Sequence, residues 1–226
     1  MGVLRPVIAM TQRTDNPAEH EPSNKIITLP NALTLARPIL ADQAARKLVQ
    51  GEKGALWLVM AMAATDMEGI PARLIDKYFP NSGRGKTKLG AEGDQVADVA
   101  AILRLGEAIR RAPRISLLGK TATALALAQE TRKSVWAVKA AYRYQYYTGE
   151  RLSIPTIEAG KEAMAEKLVA ITFAVATHET DNPMARLALG MAAMGFAIPG
   201  ALRGESVMKQ YNASFQQMFS VALSTP

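Results

Sequence analysis

Two short stretches of the chain carry acids at spacings that could do chemistry. TDMEGIPAR, residues 65–73, closes an apolar run with two acids and an arginine, and GAEGDQVAD, residues 90–98, follows a basic loop with two aspartates four apart. On a helix Gly90, Asp94 and Asp98 share one face, so that face becomes a pocket wall bearing a small residue and two carboxylates one turn apart. Carboxylates so close repel unless a cation lies between them or a proton is shared, which points to divalent-metal or acid–base work. The plain alternative is a solvated helix face. Asp66 and Glu68 add oxygen ligands, Gly69 and Ala72 allow close backbone approach, and Arg73 offers a fork-shaped donor for phosphate.

These residues need helices to hold them. The chain has 226 residues, 49% hydrophobic and only 6% aromatic, enough for one domain. Alanine, leucine and methionine dominate and β-branched alternation is scarce, so the fold class is all-α. Pro and Gly clusters divide it into helical stretches at 31–50, 54–78, 90–111, 114–148, 160–178 and 183–203. A polar flexible leader is expected at 1–25, the helical domain at 26–203 and a polar tail at 204–226. The last helix, MARLALGMAAMGFAIPG, uses its methionines for packing, and Pro199 kinks or ends it.

Composition narrows the partners. The formal net charge of +7, from 27 Lys and Arg against 20 Asp and Glu, favours a phosphate-bearing partner: nucleic acid, anionic lipid or a phosphorylated substrate. Cys is absent, which excludes disulfides, thiolate metal sites and a cysteine nucleophile, and His20 and His178 are too few for a histidine metal cluster. Hydropathy favours a soluble bundle. The apolar runs Ala55–Thr65, Leu168–Thr177 and Leu187–Leu202 are shorter than the roughly 20 residues of a usual span. Arg104 and Glu107 fall where a bilayer centre would be, at about 2.5–3.5 kcal/mol each.

The motifs nevertheless resemble those of the CDP-alcohol phosphatidyltransferases, whose signature is D-x-x-D-G-x-x-A-R, a variable loop, then G-x-x-x-D-x-x-x-D. Gly90, Asp94 and Asp98 fit the second half, and Gly69, Ala72 and Arg73 fit the tail of the first. LPNALTLAR, residues 29–37, is similar to the family's N-terminal segment. AGKEAM, residues 159–164, resembles the GKxxT segment of the phosphatidylglycerophosphate synthase branch, with Met164 in place of the threonine. The likeness spans residues 26–203.

The resemblance implies a six-helix transmembrane bundle, homodimeric and multi-pass in the cell membrane, with both termini cytoplasmic beside the basic loop from Arg73 to Lys88. It implies transfer of a phosphatidyl group from a CDP-linked lipid to a small alcohol such as glycerol 3-phosphate, releasing CMP, and no nucleic-acid partner. Mg2+ or Mn2+ would be held by Asp66, Glu68, Asp94 and Asp98. Asp98 would also be the base, its pKa raised by the neighbouring acids. Gly69, Arg73 and Gly90 would line the substrate site, with Lys161, Arg132 and Arg37 set to bind an acceptor phosphate; for Arg132 an interfacial charge is the plainer role.

The first half of the signature is irregular. TDMEG is one residue shorter than D-x-x-D-G, and its second acid is Glu. Positions i and i+2 lie about 200° apart on a helix, so Asp66 and Glu68 reach one metal only if a π-bulge or a helix end at Gly69 redirects them. Two other readings therefore stay open: a catalytically impaired member of the same fold, acting as a binding or structural membrane protein, and a soluble basic bundle binding nucleic acid. GRGKT, residues 83–87, is no Walker A loop, because Pro80 stands where its first Gly belongs. WAVKAAYRYQYYTGERL, residues 136–152, mixes bases and aromatics as an interfacial belt does, more than as a platform for single strands.

Overall fold

The computed structural model describes residues 29–66, 88–149 and 158–224, and all of its regular structure there is helical. In chain order the helices are α1 (Leu29–Gln50), α2 (Ala55–Asp66), α3 (Lys88–Arg111), α4 (Leu117–Thr148), α5 (Glu158–Glu179) and α6 (Pro183–Ser224). No strand occurs among the described residues.

Local chemistry sets most of the helix ends. Gly51, at φ 76°, closes α1 in a Schellman motif: its N–H donates to the Leu48 carbonyl and that of Glu52 to the Lys47 carbonyl. Ser116 caps α4 by accepting from Gly119 N–H at 3.1 Å, and Asn182 caps α6 by accepting from Met184 and Ala185. The cap of α2 comes from far away in the chain. The Glu179 carboxylate accepts from Gly54 and Leu56 N–H at 2.9–3.2 Å, putting a negative charge on the helix N-terminus.

Packing divides the helices into two triplets. α1 packs against both α2 and α3; α4, α5 and α6 pack against one another; and the halves meet through α2 against α5 and α3 against α4. The main core interleaves Ala41, Ala45 and Leu48 with Val59, Leu105, Ile109 and Val175. A second core of Ala122, Ala170, Ala174, Ala193 and Ala197 sits between α4, α5 and α6. So much alanine lets helix axes approach closely without large side chains.

One boundary departs from the sequence reading. The last helix does not end at 203: α6 passes through Pro199 and continues to Ser224, so the expected tail at 204–226 is helical over nearly all its length. Two features carry it past the proline. Gly200 and Gly204 press α6 against its neighbours, where an added Cβ would lie 3.1 Å from Glu166 Cβ and 3.2 Å from Gln129 Cδ. Beyond them Val207, Met208, Phe215 and Phe219 recur at helical spacing and are buried, the two phenylalanines against Ala140, Trp136 and Tyr144 of α4.

The six described helices alternate in direction, as the pairings of Arg37 with Thr65, Glu130 with Lys167 and Glu166 with Arg203 show, so Leu29 and Ser224 come to the same end, to which the first turns of α3 also belong. At the other end Asp181, in the α5–α6 linker, pairs with Lys53 of the α1–α2 linker at 2.9 Å and with Arg114 of the α3–α4 linker. Both partners hold its carboxyl below the ordinary carboxylate value, the Lys53 hydrogen bond most strongly. His178 lies fully buried beside this cluster, its Nε2 3.0 Å from the Glu52 carbonyl.

Candidate active site

The inward stripe of α1 runs through Leu48, Ala45, Ala44 and Ala41 and then turns polar at Arg37 and Thr34, which are just as buried. α3 does the same: Ile109, Leu105 and Ile102 lead on one face to Asp98. α2 reaches this level at its last turn, Met62 to Asp66. Three helices thus lose their apolar lining at one height, and polar groups fill it.

Arg37, 2% exposed, is the centre of the arrangement. Its Nη1 donates to Asp98 Oδ1 at 2.6 Å, its Nε to Thr65 Oγ1 at 3.3 Å and its Nη2 to the Thr65 carbonyl at 3.2 Å. The carbonyl belongs to the last turn of α2, where helix carbonyls lack intrahelical partners and the dipole favours a cation. Thr65 Oγ1 in turn donates to the Met62 carbonyl at 2.6 Å. The Asp98 side chain is 29% exposed, so the pair has one buried and one accessible member. Such charge-assisted bonds fix orientation as well as charge.

The sequence-derived residues fall into four groups. Arg37 and Asp98 are brought together. Gly90 and Asp94 lie with Asp98 in the single helix α3, Asp66 ends α2 and Lys161 lies in the first turns of α5, but the side chains of Asp66, Asp94 and Lys161 lie outside the described residues. Glu68, Gly69 and Arg73 lie outside them altogether. Arg132 is on α4, exposed and paired with Glu205 of α6 at 2.6 Å. Among the described residues no three His, Asp or Glu side chains cluster as a metal site.

Two groups escaped the sequence reading. Thr65 is one; its only sequence signal is its place three residues before Glu68, where the phosphatidyltransferase pattern has its first acid. The other is an ion triplet at the α4–α5 contact, in which the buried Glu130 takes the buried Lys167 at 2.9 Å and the partly exposed Lys133 at 2.5 Å. Glu130 and Lys167 line a cavity of about 10 Å³ with Ile102, Ala126, Met164, Leu168 and Ile171, space for about one water. Since Ile102 follows Asp98 by one turn on the same face of α3, this small pocket lies next to the Arg37–Asp98 pair along the bundle. The residue before Glu130 ties α4 to α6: Gln129 Nε2 donates to the Ala201 carbonyl at 2.8 Å.

Of the described helices one, over Pro183–Val221, is long and apolar enough to cross a membrane. Its exposed residues include Met184, Leu187, Met191, Ile198 and Leu202. No family model, curated protein or solved structure matches the chain.

Proposed function

We propose that the chain is a membrane phospholipid-synthesising transferase, moving a phosphatidyl group from CDP-diacylglycerol to an alcohol such as glycerol 3-phosphate and releasing CMP. The observation that carries this reading is the meeting of Arg37, Thr65 and Asp98, which joins the three motif-bearing segments at one polar locus. The apolar α6 supports the membrane setting. So does the pairing of charges that hydropathy counts against it: Arg104 meets Asp42 at 2.8 Å, and Glu107 meets Arg110 and Arg111. Six spans, a homodimer and cytoplasmic termini belong to the same proposal.

Asp98 takes the proton of the acceptor hydroxyl. The hydroxyl oxygen then attacks the phosphorus of the phosphatidyl group, the bond to the CMP oxygen breaks, and CMP leaves with the electron pair. Arg37 holds the Asp98 carboxylate in place and ties it to the end of α2, so the base is positioned before substrate arrives. The donor set of Asp66, Glu68, Asp94 and Asp98 is all carboxylate oxygen and suits a hard divalent cation, Mg2+ or Mn2+, which would neutralise the diphosphate and the departing CMP. Arg73 and Lys161 would meet substrate phosphates.

The decisive assay incubates the purified protein with CDP-diacylglycerol, Mg2+ or Mn2+ and a panel of alcohols, then measures CMP and identifies the lipid product. CMP release that depends on one alcohol is the expected result, and its absence with every alcohol would end the transferase reading. A second reading is favoured by one observation: Asp98 is already bonded to a buried arginine, as in a purely structural pair. On that reading the protein is a membrane binding or scaffold protein of the same fold, retaining CDP-lipid without turning it over.

A further inference from the structure

α4 and α6 carry a surface that the transferase chemistry does not use. The start of α4 and the end of α5 adjoin, since Ser116 N–H donates to Thr177 Oγ1 at 3.1 Å. α4 has 32 residues and α5 has 22, so at 1.5 Å per residue α4 outruns it by about 15 Å. The longer α6 accompanies it. Ala140, Phe215 and Phe219 form a small core between the two overhanging segments, and Trp136 stacks on Tyr211 at 5.9 Å.

That core covers only one side of α4. On the other, Val138, Tyr142 and Tyr146 recur every four residues at 70–72% exposure, and the two tyrosine rings stack at 6.3 Å. Lys139 and Arg143 flank them, and no carboxylate pairs with either among the described residues. No acid follows Glu130 in α4 or Glu205 in α6. The overhang therefore carries bases and aromatics and no acid along both helices.

We propose, building on the membrane reading above, that this face of α4 binds the headgroups of anionic phospholipids at the bilayer surface. The height fits. The run of exposed large apolar residues on α6 stops at Leu202, Arg203 follows, and beyond it only Val221, near the helix end, is again exposed and apolar, so the overhang begins at the level where a bilayer changes from hydrocarbon to headgroup. Tyrosine rings are favoured at that depth, and lysine and arginine gain from the negative surface. Single-stranded nucleic acid would also stack on tyrosines, but two flanking cations neutralise few phosphates, and the adjoining apolar face of α6 gives it nothing to bind.

The test uses the full chain in nanodiscs of phosphatidylcholine doped with headgroup-matched spin-labelled lipid, either phosphatidylglycerol or phosphatidylcholine, and reads the motionally restricted fraction. Preferential restriction of phosphatidylglycerol is expected, reduced on the order of fivefold for each cation removed in Lys139→Gln and in Lys139→Gln/Arg143→Gln. Arg143 also lies 5.0 Å over the Phe219 ring, so the single Lys139 variant reads charge without touching packing. Tyr142→Ala/Tyr146→Ala should lower restriction of both lipids. Equal restriction of the two lipids by the parent, or an unchanged preference in Lys139→Gln, overturns the proposal. So does tighter binding of a labelled single-stranded oligonucleotide that is lost with the two tyrosines, which assigns the face to nucleic acid. A chain that stays folded and soluble without detergent refutes the membrane reading itself; a membrane-bound chain without lipid preference refutes this inference alone.

Discussion

Arg37 and Asp98, 61 residues apart in the chain, meet at 2.6 Å between Nη1 and Oδ1, and the arginine also holds the last turn of α2. The pair is at once a structural joint between α1, α2 and α3 and the orienting contact of the proposed base. Those two roles separate under mutation.

Arg37→Ala should destabilise the protein by about 3 kcal/mol, the low end for breaking a buried pair because Asp98 is partly exposed. Arg37→Lys, which keeps the charge but loses the fork, should fall between the two. A double-mutant cycle with Asp98→Asn, followed by denaturant unfolding in detergent, should give a coupling well above 0.5 kcal/mol. Simple additivity would mean that the contact contributes little.

For turnover the acids should behave differently from one another. Asp98→Asn, which keeps an amide oxygen but no base, should leave CDP-lipid binding nearly intact and weaken metal affinity less than Asp94→Asn, while lowering CMP release by about 10²–10⁴-fold, the range for a positioned base. Asp94→Asn should weaken metal affinity and activity together. Asp66→Ala and Glu68→Ala show which of the two unevenly spaced acids is the ligand: the one that matters will resemble Asp94→Asn and the other the parent. Four variants indistinguishable from the parent would mean that these carboxylates take no part in turnover and that the Arg37–Asp98 pair is structural alone.

The Glu130–Lys167 contact should be costly to halve and cheap to replace. Lys167→Met leaves a buried Glu130 with Lys133 alone and should cost about 3 kcal/mol, whereas Glu130→Leu/Lys167→Met should return close to parental stability. Thermal unfolding of the three proteins checks this. A double variant less stable than the single one would show that the pair stabilises beyond apolar replacement.

Asp181 sets a pH dependence. Its folded pKa is lowered by Lys53 and Arg114, so its stabilising contribution is fully present above the ordinary carboxylate value of 3.8 and is lost as pH falls through the lower folded value. Hydrogen exchange at the three linkers should be independent of this pair near neutrality once intrinsic rates are divided out, and should quicken only in acid. Asp181→Asn should abolish that acid step, and added salt should shrink it because the carboxylate is exposed.

How much of this was legible in the sequence depends on whether the signal was local. The starts and ends of α3 and α5 follow from Gly, Pro and polar punctuation and were readable to within two residues. The end of α6 was not, because Pro199 is a local stop signal overridden by packing at Gly200 and Gly204 and by a phenylalanine stripe thinly spread among polar residues. Asp98 and Arg37 were both singled out from motifs, yet as separate parts, a base and a phosphate ligand; that one holds the other depends on α1 lying against α3, which no spacing within either helix records. Lys167 and Glu130 read as ordinary polar residues because, in alanine-rich helices, hydrophobic periodicity does not say which face is inward.

The carboxylate that caps α2 implies a delay during synthesis. Gly54 and Leu56 leave the ribosome long before their acceptor, since Leu56 and Glu179 are 123 residues apart. At about 5–20 residues per second the wait is roughly 6–25 s. Throughout it the first turn of a 12-residue helix, too short to be stable alone, has no Glu179 to accept its N–H groups. The N-terminal triplet is therefore expected to mature only as the C-terminal triplet closes on it, and chains stalled before residue 179 should show the Gly54 and Leu56 amides exchanging faster than in the finished chain.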